Sequence, residues 1–134
     1  RAKEVESWDL DQLFANLHQE IETETRQQIR AHRAVARSHN VALHAYEGGQ
    51  HLVGHGGAED NEKLTALFIA ANRDPRMGQL YQRHLAIWHD EGGGLYALFA
   101  SMGEPSKWGS WGLLEFEGDS RPKWDAVQSV LRSR

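Results

Sequence analysis

The chain contains no cysteine. Disulfides, thiolate metal centres and cysteine nucleophiles are therefore excluded, although the compartment is not decided by this. It has no apolar run near the roughly 18 residues that span a bilayer, so no membrane segment is expected. No basic n-region followed by an apolar h-region stands near its start, so no signal peptide is expected in this sequence. Position 1 is Arg rather than Met, as in a processed product or a piece of something longer. Basic residues are not in excess either: 15 Lys+Arg stand against 19 Asp+Glu, a formal charge of -4. A binder that tracks nucleic-acid phosphates normally shows a basic face, so nucleic acid is not an expected partner.

Two further absences narrow the chemistry. The glycine-rich stretch 48–57 lacks the G-x-x-x-x-G-K-[ST] order and has no Lys or Arg beside it, so it is not a phosphate loop. Ser7, Ser38, Ser101, Ser106 and Ser110 lie in no G-x-S-x-G elbow, which argues against serine hydrolysis.

What remains is a 134-residue chain, 40% hydrophobic and 25% charged, enough for one globular, soluble domain over residues 1–134. Its compartment is left open. Asp9 with Gln12 three residues on reads as a capping box. Leu10, Leu13, Phe14, Leu17 and Ile21 then follow helical spacing. This helix is expected to reach about Ser38, with a polar middle from Glu22 to Arg30 that is solvated or bent, and to stop at Asn40. Residues 41–46 form a short apolar run that suits a strand buried on both faces. A helix begins near Asp60. Asp74-Pro75 restarts the chain as N-cap and first helical residue, and glycines 92–94 stop the helix that follows. Residues 95–100 read as a second strand of the same kind, and 111–116 as a short third strand or an extended segment. Arg121-Pro122 opens the last helix. This order of helix, strand, helices, strand and helix is an α/β signature.

The most informative segment is VALHAYEGGQHL, residues 41–52. An apolar run delivers Glu47 and breaks at Gly48-Gly49. Strand ends of this kind lie at the rim of a parallel sheet, where α/β proteins place their chemistry. Glu47 is expected there in an enclosed hollow, either as a working carboxylate or as an acceptor for the amides of residues 48–50. Tyr46 is a candidate donor to it, and His51 a candidate hydrogen-bonding or pocket-lining group. His44, Glu47, His51 and His55 also invite a zinc reading. However, His44 and Glu47 differ in strand parity, and no helix enforces the spacing of the other two, so no metal and no cofactor is expected. Of the five Trp, Trp8, Trp88 and Trp124 fall on helical apolar stripes and read as core. Trp108 and Trp111 flank Gly109-Ser110 and read either as a stacking floor for a sugar ring or as core and interface anchors.

The blocks YEGGQHL (46–52), the run 64–101, KWGSWGLLE (107–115) and RPKWDAV (121–127) occur in an order that resembles the C-terminal part of (β/α)8-barrel carbohydrate-active proteins. These are of the clan A glycoside hydrolase type and include cellulose-binding proteins; the likeness runs over roughly residues 8–133. The resemblance implies a partial (β/α)8 (TIM) barrel, its last strands and helices only, with two to three parallel strands flanked by long helices. Residues 41–47 would be the seventh barrel strand and 95–101 the eighth. It further implies glycoside hydrolysis on β-linked glycans with Glu47 as nucleophile, and an oligo- or polysaccharide as partner. An aromatic near the end of the eighth strand, Trp111 before Trp108, would be the sugar platform. The family's acid/base Glu ends a fourth strand, which has no counterpart here; Glu115 is the local candidate for the second carboxylate. A non-catalytic glycan-binding module and an inactive fragment of a larger barrel are the alternatives. Two or three strands cannot close a barrel, so their open edges predict a homo-oligomer.

Overall fold

The computed structural model describes residues 2–119 and 121–133. After a single turn, α1 (Ala2–Val5), the cap at Asp9 starts the first long helix. The Asp9 carboxylate accepts from the Gln12 amide at 2.8 Å, and the Gln12 side chain accepts from the Asp9 amide at 3.0 Å, both halves of a capping box. The helix runs as α2 (Leu10–Glu20), one π turn (Ile21–Thr25) and α3 (Arg26–Ser38). The expected irregularity is therefore real and begins at Ile21. The turn sequence IETET alternates β-branched residues with acids, and the Thr23 hydroxyl donates to the Gln19 carbonyl at 2.8 Å, a contact that disturbs the regular ladder. Asn40 takes φ 55 and closes α3. The Asn40 amide reaches the Arg37 carbonyl and the Val41 amide the Ala36 carbonyl, each at 3.0 Å, as in a Schellman stop.

Two parallel strands follow, β1 (Ala45–Gly48) and β2 (Tyr96–Leu98), with Ala45 opposite Tyr96 and Gly48 opposite Leu98. Between them lie α4 (Glu62–Arg73), capped by the Asn61 side chain, and α5 (Pro75–Asp90), capped by Asp74 with Pro75 at its first turn. Gly92 ends this hairpin of helices at φ 82. The last helix is α6 (Pro122–Arg132). The chain is thus mixed α/β, mostly helical, with two parallel strands among the described residues.

The strands are shorter than the apolar runs that announce them, and they are not buried on both faces. Leu43, Ala45 and Tyr96 pack inward on Ile29, Ile87 and Trp88. By contrast Val41 is 57% exposed, Tyr46 90% and Leu95 69%. Among the described residues each strand pairs with the other alone, which leaves its outer edge without a strand partner. Residues 111–116 form no third strand. They run extended beside the chain after β2, held by the Leu113 amide on the Ala100 carbonyl at 2.9 Å and a single bridge between Met102 and Leu114.

The main core lies between the helices. Leu13 and Phe14 of α2, Ala71 of α4 and Met77, Leu80, Tyr81 and Leu85 of α5 meet Leu113 and Val127, while Trp8 and Trp124 pack at its margin. Gly78 permits the close approach of α6, because a Cβ there would collide with the Pro122 carbonyl.

Candidate functional site

Because β1 and β2 are parallel, the loops that leave them emerge on one side, and most of the candidate residues lie there. Glu47 is the penultimate residue of β1. The enclosed hollow expected around it is not what surrounds Glu47: its side chain is exposed, and it lines neither the cavity under residues 49–52 nor the one beside Arg73 and Pro122. Neither Tyr46 nor the amides of residues 48–50 bond to its carboxylate. The Gln50 amide donates to the Tyr81 hydroxyl instead, at 3.1 Å, and Tyr46 points into solvent. Among the described residues β1 pairs with β2 alone, and Tyr46 and Glu47 on it are exposed.

The rim does assemble aromatic side chains. The His51 and Trp111 rings lie 4.8 Å apart between centroids, tilted by 37°. Phe99, the residue after β2, meets Trp111 edge-on at 6.2 Å. The loops after both strands therefore converge on Trp111, with one ring from each. Trp108 stands apart from this group, half exposed, with the Lys107 ammonium 4.9 Å above its ring and bonded to Asp60 at 2.5 Å.

Glu115 does not reach the rim as a free acid. Its two oxygens accept from Nε and Nη2 of Arg73, each at 2.8 Å, and Asn72 adds a longer contact at 3.4 Å. This forked arrangement is the strongest geometry available to an arginine and a carboxylate. It ties the end of α4 to the segment after Trp111 and spends the Glu115 carboxylate on structure. His44 is also spent: its Nδ1 accepts from the Leu95 amide at 2.8 Å and stitches the strand starts together. His55 lies exposed in the glycine loop. Among the described residues no three His, Asp or Glu side chains form a metal-binding group.

The residues that sequence reasoning missed lie just beneath the aromatic group. Lys123 is only 2% exposed. Its Nζ donates to the Ser110 carbonyl at 2.9 Å and lies 5.7 Å from the centre of the Tyr81 ring. Burial pushes its pKa down from 10.5 to about 8, against an upward pull from Glu115 and Asp119. One signal was available: Lys123 is in helical phase with Ala126, Val127 and Val130, a cation on an apolar stripe. Gln50 spans the two rim loops, with Nε2 donating to the Ser110 carbonyl and Oε1 accepting from the Leu52 amide at 2.7 Å. Burial raises the Tyr81 phenol to about 12.

A cavity of about 310 Å³ lies under residues 49–52, between the π turn and α5, with Leu17, Ile21, Met77, Leu80 and His84 among its walls. His84 bonds Tyr96 Oη through Nε2 at 2.8 Å, and burial holds its pKa below the ordinary value. His51 touches both this cavity and the Trp111 ring.

No family model matches the chain, and neither a curated protein nor a solved structure matches it.

Proposed function

We propose that the chain is carbohydrate-active, a protein of the glycoside hydrolase type acting on β-linked glycans, with Glu47 as nucleophile and Trp111 as the platform for a sugar ring. On this reading β1 and β2 are the last two strands of a (β/α)8 arrangement, with α4 and α5 after the seventh strand and α6 after the eighth. The observation that carries the proposal is the convergence at one rim: Glu47 near the end of β1, Phe99 just past β2, and Trp111 held between Phe99 and His51. An indole face stacks on the apolar face of a pyranose, and a neighbouring histidine supplies a hydrogen bond to its hydroxyls. An exposed carboxylate oxygen is able to attack an anomeric carbon.

Hydrolysis through a glycosyl-enzyme needs a second carboxyl group about 5–5.5 Å from the first, to protonate the departing oxygen. Glu115 is bound to Arg73, so on this reading that proton comes from another acid, such as one that a second copy brings to face Glu47. The openness of the rim around Glu47 leaves room for such a group. The same openness, with Glu115 held by Arg73, favours a non-catalytic glycan-binding module as the second reading.

Turnover of aryl β-glycosides and binding to a panel of β-glucans separate the two. In a hydrolase, Glu47→Gln abolishes turnover and leaves binding within about twofold; Trp111→Ala weakens binding by about tenfold, equivalent to ~1.4 kcal/mol. A binding module shows the Trp111 effect without turnover. A wild-type chain that neither cleaves nor binds any glycan of the panel ends both readings.

A further inference from the structure

The buried polar group beneath the rim holds one carbonyl with two donors. Ser110 is 2% exposed, and its carbonyl accepts both from Gln50 Nε2 and from Lys123 Nζ. Its hydroxyl has no partner, so the anchoring point is the backbone immediately before Trp111 and not the Ser110 side chain. Gln50 is itself held at its amide and at both ends of its side chain. Its amide bonds Tyr81, its Oε1 takes the Leu52 amide, and its Nε2 also lies 3.4 Å from Asn72 Oδ1. Asn72 in turn touches Glu115, which Arg73 grips. The residue after Gln50 is His51, whose ring lies against Trp111. Gly109 sits at φ 131 with both of these rings at about 3 Å from where a Cβ would be, so the backbone is tucked directly under them.

A cation in this place is costly, since a buried ammonium loses its hydration and here gains one hydrogen-bonded carbonyl and the Tyr81 ring in return. An apolar stem of the same length would fill the space without that cost. What it would not supply is a fixed donor from α6 to the carbonyl before Trp111.

We propose that Gln50 and Lys123 are positioning residues: by holding the Ser110 carbonyl from the loop after β1 and from α6, they set the Trp111 ring against His51 at the strand rim. The assignment of the ring as a sugar platform rests on the function proposed above; the positioning itself does not.

The test uses the full chain labelled with 5-fluorotryptophan, with the Trp111 fluorine resonance assigned through Trp111→Phe. Gln50→Leu and Lys123→Met should each move or broaden that resonance while those of Trp8 and Trp88 stay in place. Ser110→Ala, which removes only the unpartnered hydroxyl, should leave it unmoved. A Trp111 resonance unchanged in Gln50→Leu overturns the proposal even where Lys123→Met fails to fold, and so does an equal displacement in Ser110→Ala, which would mean that the ring responds to packing alone. For a β-glucan oligosaccharide that the wild type binds, Gln50→Leu and Lys123→Met should each raise the dissociation constant about tenfold. If the ring moves as expected but the wild type binds no glycan, the positioning stands and the function proposed for the rim falls.

Discussion

Replacing Lys123 by Met removes a titrating group from the interior at nearly constant side-chain length. The Lys123 amine has its pKa lowered from 10.5 to about 8 because the folded chain surrounds it with Tyr81, the Ser110 carbonyl and the α5–α6 interface. In the unfolded chain the amine holds its proton up to the ordinary value. Between about pH 8 and pH 10.5 the unfolded state therefore binds more protons than the folded state, and stability rises with pH across that window. The full difference corresponds to ~3 kcal/mol, of which about 2 kcal/mol should appear between pH 7 and pH 9.5. Tyr81 acts the other way above pH 10, because its buried phenol stays protonated to about 12 while the unfolded phenol ionises at 10.0. Measurements should accordingly stop near pH 9.5. Urea unfolding at several pH values should show the wild type gaining stability relative to Lys123→Met by about 2 kcal/mol over the range, with the variant equal or more stable at pH 7. A wild-type curve that stays parallel to the variant's from pH 7 to pH 9.5 would refute the claim that the amine is buried against its own charge.

Other expectations follow from individual contacts. Glu115→Gln breaks the forked pair with Arg73, whose side chain is largely solvated, so thermal unfolding should register a loss of about 1 kcal/mol; any glycoside turnover should persist, and a folded variant without turnover would restore Glu115 as the second acid. Gly78→Ala forces α6 away from α5 at Pro122 and should cost about 2–3 kcal/mol in denaturant titrations; an unchanged midpoint would show that the two helices are not in close contact. The outer edges of β1 and β2, with Val41, Tyr46 and Leu95 exposed, should drive self-association at micromolar concentration, detectable by sedimentation and weakened by Leu95→Lys. A monomer at every concentration tested would remove the edges as an interface between copies.

Local signals were legible in the order of the residues. The capping box at Asp9, the left-handed stop at Asn40, the Asp74-Pro75 start and the glycine stop at Gly92 each depend on atoms within a few positions of one another, and each is present. The apolar stripe of α2 likewise identified the side that enters the core, with Leu13 and Phe14 buried, because a period near 3.6 leaves little choice of face; in α3 the stripe was too weak to do so, and Val35 is 60% exposed while Ala36 is buried. The residue order put His51 just past the first strand, and the resemblance put Trp111 near the end of the second; neither put the two rings against each other.

Tertiary structure decided the rest. An apolar run of six residues is compatible with a strand covered on both faces, but cover must come from neighbours, and among the described residues β1 and β2 pair only with each other and pack on Ile29, Ile87 and Trp88. Glu47 is in water for that reason, whatever its own segment prefers. Glu115 became a structural carboxylate because Arg73, 42 positions earlier, meets it across the fold. Lys123 became a buried donor because α6 lies on α5 at Gly78. The sequence by itself determined where elements start, stop and turn a face inward, since those are short-range energies. Which polar groups lost their water and which kept it depended on contacts between distant segments, and only the assembled chain sets those.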